Sequence, residues 1–324
     1  MATYSTEKGF TIQSLASDPS NPIVGQVWYN TTSTVLKSYG QQGAGAWASG
    51  SNLNTGRNNM FGYGASSSAS SMAGGNIPPT SATHEEYDGT SWAEAADIQT
   101  ARSTESRTGA GTQGAAVIYG GAAVINTSES WNNTSWTSIT GFTTSRRASG
   151  GCGLQTAAIN FGGSTAPGAN DSALNEEWNG SSWSEKADLN TARYSGNGMG
   201  NATSALYVNG YVTSGSAYQK IVESYDGTAW TEVGNTNSHH STGGGSSNAT
   251  NTSSLVYGGT PPSKVNTEEW NGTSWTEVAD LAVVIQNQGS AGTATSAISA
   301  GGPSASLLTE VWAIPDAIKT FTAS

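Results

Sequence analysis

Six glutamates recur with the same neighbours: Glu85, Glu129, Glu176, Glu223, Glu268 and Glu310 each stand two residues before an aromatic ring. In an extended strand that spacing puts acid and ring on one face. Four arginines keep step with them. Arg57, Arg102, Arg146 and Arg193 lie ten residues after Trp47, Trp92, Trp136 and Trp183, and His240 and Ile285 take the same place after Trp230 and Trp275. A ring of carboxylates would suit metal binding or general acid work. The same residues would also make bidentate, partly buried Arg–Glu pairs that lock one repeat to the next. Catalysis needs one site and not six equivalent ones, so the pairing is preferred. Outside this set stand three histidines, His84, His239 and His240, and one cysteine, Cys152. His239 and His240 are adjacent and would point to opposite faces of a strand. Cys152 lies in GGCGLQTAAI, a segment in which a small buried residue is expected.

The elements that position these residues follow from internal periodicity. Trp47, Trp92, Trp136, Trp183, Trp230 and Trp275 follow one another at steps of 44 to 47 residues. Around them recurs one phrase, as in EEYDGTSWAEAADIQTAR (85–102), EEWNGSSWSEKADLNTAR (176–193) and EEWNGTSWTEVADL (268–281). Upstream of each copy an apolar run ends in glycine, as in AVIYGG at Gly121 and AINFGG at Gly163. The apolar run predicts a short strand, and Glu-x-Tyr/Trp a second. Asp88-Gly89, Asn179-Gly180, Asp226-Gly227 and Asn271-Gly272 then predict tight hairpins, because type I′ turns need positive φ at both central residues. The Trp opens the returning strand, and a further strand begins near the Arg. Each unit therefore reads as a four-stranded antiparallel meander of about 45 residues, the size of a propeller blade.

All eleven tryptophans serve this pattern: Trp28, Trp131, Trp178, Trp270 and Trp312 before the turns, the other six after them. An exposed Trp can stack on a sugar, but repetition assigns these rings to packing between blades. At the amino-terminal end, residues 27–50 read as the last three strands of a blade, with Tyr39 in the strand-aromatic position and Trp47 returning. At the other end, IKTFT (318–322) reads as a fourth strand for the last unit. That arrangement predicts seven blades; if IKTFT is only a tail, Trp47's strand completes the last unit and six remain. Residues 1–24 have no repeat counterpart and are expected to form an arm or an added strand, with 25–324 a single propeller domain.

Composition bounds the function classes. The 324 residues include 42 Gly and 11 Trp, with 11% charged residues and a net charge of −11. Gly, Ser, Thr and Asn outweigh helix formers, which points to an all-β chain rich in turns. Nucleic-acid binding calls for a basic stripe, and the 12 Lys and Arg are scattered. No apolar run approaches the roughly 18 residues of a membrane span. One cysteine leaves no intramolecular disulfide. The start, MATYSTEKGFTIQSLASDP, has neither a basic nor an apolar signal region, so synthesis in a cytoplasm without secretion is expected.

The unit as a whole, an apolar strand with Gly-Gly, then Glu-x-Tyr/Trp, Trp and Arg, resembles the kelch repeat and the central propeller of galactose-oxidase-like proteins over residues 50 to 312. It departs from kelch in using Asp/Asn-Gly-Thr-Ser-Trp in place of the usual Asp-Pro-x-Thr-x-x-Trp turn. GQVWYNTTSTVLKSYGQQGAGAW (25–47) and EVWAIPDAIKTFTAS (310–324) resemble kelch-like structural proteins of marine tailed bacteriophages. That resemblance implies a virion component, on tail, fibre or capsid surface, made in the host cytoplasm and present in several copies per particle. Its implied partners are other virion proteins and a host surface glycan or protein. The galactose-oxidase resemblance implies instead a secreted copper enzyme with His and Tyr ligands and a Tyr–Cys cofactor, or a carbohydrate-binding propeller. The scattered histidines and Cys152 do not compose that set, so no enzyme, metal or cofactor is expected. A cellular kelch adaptor would carry an extra domain such as a BTB module, for which the chain has no room.

Binding is expected on the loops that follow the glycine-ended strands, which vary most on a rigid scaffold. These are 76–84, 164–175, 211–220 and 260–266. Tyr211, Tyr218 and Lys220 are the aromatic and basic residues there that the repeat does not explain.

Overall fold

The structure is a computed structural model that describes residues 12–104, 109–166 and 170–321. Its strands run in chain order as β1 (Gln13–Leu15), β2 (Val27–Asn30), β3 (Val35–Gln41) and β4 (Ala46–Ser49). The first full repeat supplies β5 (Phe61–Ser66), β6 (Ala69–Ala73), β7 (His84–Tyr87) and β8 (Trp92–Ala95). The next supplies β9 (Ala110–Thr112), β10 (Ala115–Tyr119), β11 (Ser128–Trp131) and β12 (Trp136–Ile139). There follow β13 (Gly150–Leu154), β14 (Ala157–Phe161), β15 (Asn175–Trp178) and β16 (Trp183–Lys186). The fourth repeat holds β17 (Asn197–Asn201), β18 (Ser204–Val212), β19 (Ala217–Tyr225) and β20 (Trp230–Val233). The fifth holds β21 (Gly244–Gly245), β22 (Ser254–Tyr257), β23 (Thr267–Trp270) and β24 (Trp275–Val278). Last come β25 (Gly289–Thr293), β26 (Ser296–Ala300), β27 (Thr309–Ala313) and β28 (Asp316–Phe321). Among the described residues the one helical element is the turn Pro303–Ala305, so no helix is long and apolar enough to cross a membrane.

The strands form seven four-stranded sheets, the number expected. They fall into two compact units, Trp47–Ala313 and a second made of Met1–Ala46 with Ile314–Ser324. In Trp47–Ala313 each of the first five repeats is an antiparallel meander, as in β5-β6-β7-β8. The innermost strands neighbour one another in the order β5, β9, β13, β17, β21 and β25, and β25 returns to β5. These sheets therefore close a ring, the arrangement of a β-propeller.

Residues 27–50 are not three strands of one blade. β4 completes the sheet β25-β26-β27, while β28, which carries IKTFT, pairs with β3 in the sheet β1-β2-β3-β28. Trp47's ring shows why β4 belongs to the last repeat. It packs edge-on against Tyr257 at 4.7 Å and against Trp312 at 5.6 Å, and its indole N–H donates to Thr267 Oγ1 at 2.9 Å. A propeller closed by strands from opposite ends of its sequence has no free sheet edge between first and last blades. Tyr39, expected at a repeat position, lies in β3 opposite Ile318.

The remaining unit is a sheet in which β1 runs parallel to β2. Asp18 ties it together, accepting from Trp28 Nε1 at 3.1 Å and Asn30 Nδ2 at 2.7 Å and pairing with Lys37 at 2.7 Å. Lys37's hydrogen bond, followed by Asn30's, holds the Asp18 carboxyl below its ordinary range. Of the region 1–24, residues 1–11 lie outside the described residues; the rest contains the short strand β1. Thr322 of IKTFT also lies outside them.

Two features hold the ring at its axis. Inner strands meet backbone to backbone: a Cβ on Gly62 would stand 2.2 Å from the Ser290 carbonyl oxygen. Just before these strands, equivalent residues from successive repeats bond amide to carbonyl. Asn59 N–H donates to Asn287 O (2.8 Å), Thr104 to Asn59 (2.8 Å), Ser195 to Ala148 (2.8 Å), Thr242 to Ser195 (3.1 Å) and Asn287 to Thr242 (2.9 Å). Asn59, Ala148, Ser195, Thr242 and Asn287 all adopt φ between 53° and 59°. This backbone collar turns each connection into its inner strand.

Candidate functional site

The repeated acids are spoken for. Glu85 takes the amides of Asn54 (2.7 Å) and Thr55 (3.2 Å) and pairs with Arg57 at 2.9 Å, with neither side chain exposed. Glu129 meets Arg102 at 3.2 Å and Glu176 meets Arg146 at 3.4 Å. Glu223 pairs with Arg193, whose guanidinium also donates to the Asn209, Thr191 and Tyr207 carbonyls and lies 4.3 Å from the Tyr207 ring centroid. His240 replaces the arginine at 2.9 Å from Glu268, and Glu310, opposite Ile285, accepts the amides of Ala282 and Val283. Each carboxylate thus clamps the connection arriving from the preceding repeat. Burial, only partly offset by the facing acids, pulls Arg57 and Arg102 below the usual arginine range and Arg146 to about 10. Burial also raises the Glu268 carboxyl, but hydrogen bonds from His240 and the Asn237 and Ser238 amides outweigh it and lower the net value.

His84, the His239–His240 pair and Cys152 lie apart. His84 opens β7, His240 precedes β21, and Cys152 is in β13, where burial pushes its thiol up. Among the described residues no group of three or more His, Cys, Asp or Glu could hold a metal ion. His84 is fully buried, with Tyr63 Oη 2.7 Å from Nε2 and Trp136 Nε1 3.4 Å from Nδ1. Desolvation lowers its pKa to about 4, so the ring is neutral in ordinary buffers.

His84 reveals a repeat position that sequence reasoning missed. In three of the six copies the residue before the repeated glutamate receives an indole N–H from the next repeat: Trp47 donates to Thr267, Trp92 to Thr309 at 3.0 Å, and Trp136 to His84, whereas Trp275 donates to the Gly234 carbonyl. The signal is visible in the sequence, since His84, Ser128, Asn175, Thr267 and Thr309 are polar there and only Val222 is not.

One repeat departs from the others. The β18–β19 hairpin runs on past the glycine turn: a register shift between Val208 and Gly210, at Asn209 with φ 61°, lets both strands reach nine residues. The extension places Tyr211 opposite Tyr218, their rings edge-on at 4.9 Å, and Tyr194 packs on the other side of Tyr211 at 5.5 Å. The two tyrosines singled out from the sequence thus join a third that was not. Tyr218 is 38% exposed and ends this aromatic row at the surface. Lys220 is not part of it; its Nζ donates to the Asn237 carbonyl.

Beside the row lies an open groove of about 610 Å³. Thr165, Asn170 and Asp171 line one wall, Val212, Thr213 and Ser214 the other, with Asn190, Thr191 and Ala192 between. Asp171 fastens the walls together, taking both the amide and the hydroxyl of Thr213 at 2.6 Å. Burial raises the Tyr194 phenol, with Tyr211 and Asp171 adding to the shift, while a hydrogen bond to Thr213 opposes it. That contact links the aromatic row to the groove. Of the variable loops predicted from the sequence, 164–175 and 211–220 meet here, though residues 167–169 lie outside the described residues.

No protein-family model matches the chain, and no curated protein matches it in sequence. Among solved structures, one titled "Structure of YjhT" superposes with a TM-score of 0.65 at 12% identity, covering 84% of this chain and 99% of that one. At that identity the likeness speaks for architecture alone, and the architecture is the β-propeller.

Proposed function

We propose that this propeller is a non-enzymatic binding platform and a component of a bacteriophage virion. The observation that carries the platform reading is the contrast between repeats. Every repeated acid is consumed by backbone amides, and all but Glu310 by a cationic or imidazole partner as well. The groove and tyrosine row are built once, on loops that leave the ring. A rigid scaffold with one elaborated loop cluster suits recognition better than turnover. The virion assignment draws on the resemblance of residues 25–47 and 310–324 to phage structural proteins and on the sparsely charged, Thr/Asn/Gly-rich composition. In this reading the chain needs no metal, turns over no substrate, and sits in several copies among other virion proteins.

The test is mass spectrometry of purified particles from infected cells. The protein should be present in fixed ratio to known particle proteins, and a chain lacking residues 1–24 should keep its propeller ring folded but incorporate poorly. Recovery only as free protein in the infected cell, or bound copper with oxidase activity, overturns the assignment.

A further inference from the structure

We infer that β28 is a dimerisation strand: two copies of the chain pair through it edge to edge, antiparallel about a two-fold axis at Ile318. This pairing does not depend on the virion assignment. In the sheet β1-β2-β3-β28, β28 holds an outside position, and among the described residues its one strand partner is β3. It is six residues long, has no proline or register shift to blunt it, and is exposed at every residue but Ala317. An edge of that kind is a template for another strand. The other outside strands are guarded by being short. The strand β1 has three residues, and the outer strands of the six ring sheets have four each.

Hydrogen bonding within the sheet decides which groups of β28 face outwards. Tyr39, opposite Ile318, donates its N–H to the Gln26 carbonyl (3.0 Å) and accepts the Gly25 amide (2.9 Å), both on the β2 side. Beyond the start of β28, Gln42 N–H donates to the Pro315 carbonyl at 2.9 Å. Antiparallel pairs alternate between bonded and non-bonded. Ala317, Lys319 and Phe321 therefore bond to β3, while Asp316, Ile318 and Thr320 turn N–H and C=O to the free edge. Set against a two-fold copy, those three match themselves. Ile318 bonds to Ile318 and Asp316 of one copy to Thr320 of the other, giving about six backbone hydrogen bonds. The side chains agree with that register. Ile318 meets Ile318, with Tyr39 beside it on the same face. Lys319 lies opposite Ala317, and the exposed Phe321 opposite Pro315. No like charges face each other, whereas an axis at Lys319 would oppose two ammonium groups and destabilise the pair. A two-fold contact of this kind closes on itself, so assembly stops at two.

The experiment measures the mass of the full chain by sedimentation equilibrium, then tests three variants of it. At micromolar concentration the chain should have twice its own mass. Thr320→Pro removes an outward N–H and no bond to β3, a change that edge strands tolerate, so it should give monomer with unchanged melting. Under oxidation Ile318→Cys should cross-link two copies, because bonded partners have Cα atoms about 5.5 Å apart, within disulfide reach. Thr320→Cys should not, because the two Thr320 positions lie about 14 Å apart along the strands. Cys152 is fully buried and does not compete. Any mass other than a dimer's, a dimer that survives Thr320→Pro, or equal cross-linking at both positions overturns the inference. A full chain that is monomeric and dimerises only after removal of residues 1–11 also overturns it, by showing that this segment holds the edge.

Discussion

Arg57 Nη2 lies 2.9 Å from Glu85 Oε1, with neither side chain exposed to solvent, and Glu85 also accepts the Asn54 and Thr55 amides. Removing the arginine leaves a buried carboxylate whose remaining partners are two backbone amides. Arg57→Ala should therefore cost about 3 kcal/mol or more in denaturant melts, against under about 1 kcal/mol for a surface pair. A cost in the surface range would show that solvent reaches the pair.

The same substitution should be graded around the ring. Arg193 donates to three carbonyls besides Glu223 and stacks on Tyr207, whereas Arg146 has the Asn160 carbonyl (2.8 Å) and a 3.4 Å approach to Glu176. Arg193→Ala should lower the melting temperature more than Arg146→Ala. Equal losses would mean that packing volume, not bonding, sets the cost.

His84 makes stability depend on pH. Its folded pKa of about 4 is depressed below the unfolded value of about 6.5, so the unfolded chain takes up the proton first. The contribution is fully present above pH 6.5 and is lost as pH falls towards 4, by about 3 kcal/mol in all. His84→Thr, which copies Thr267 and Thr309 at the same repeat position, should flatten that part of the stability–pH curve, whatever it does at neutral pH. An unchanged slope would show that His84 is not the titrating group.

Ala148 holds φ 53° within the backbone collar. A left-handed conformation costs an L-residue about 1–2 kcal/mol, and glycine escapes it at some cost in unfolded-chain entropy. Ala148→Gly should raise the melting temperature slightly, whereas Ala148→Val should lower it. Destabilisation by the glycine would mean that the buried methyl group outweighs the strain.

Residues 47–313 contain every ring sheet, and Trp28 is the one tryptophan outside them. A chain of 47–313 should fold with the near-ultraviolet tryptophan signature of the whole protein, less Trp28's share. Starting at residue 52 instead removes β4 and Trp47, and should abolish cooperative unfolding. Equal stability of the two chains would show that β4 does not close the ring.

Periodicity in the sequence was enough to determine that this is an all-β ring of four-stranded units, where the hairpins turn, and that the repeated acids pair with the repeated arginines. Those features depend on local spacing, alternation of faces and turn chemistry, which a linear chain displays. Membership of the end strands was not legible, because β4 and β28 each have one edge to fill and only packing decides which: Trp47 finds Trp312 in the last repeat and Tyr257 and Thr267 in the fifth. The collar was equally hidden, since Asn59, Ala148, Ser195, Thr242 and Asn287 share a backbone conformation and no common side chain. Tyr211 and Tyr218 stood out as aromatics beyond the repeat, but Tyr194 and the groove did not. Those depend on a bulge at Asn209 that lengthens one hairpin and on Asp171 reaching Thr213 across 42 residues of chain, contacts that exist only once the ring has brought neighbouring loops together.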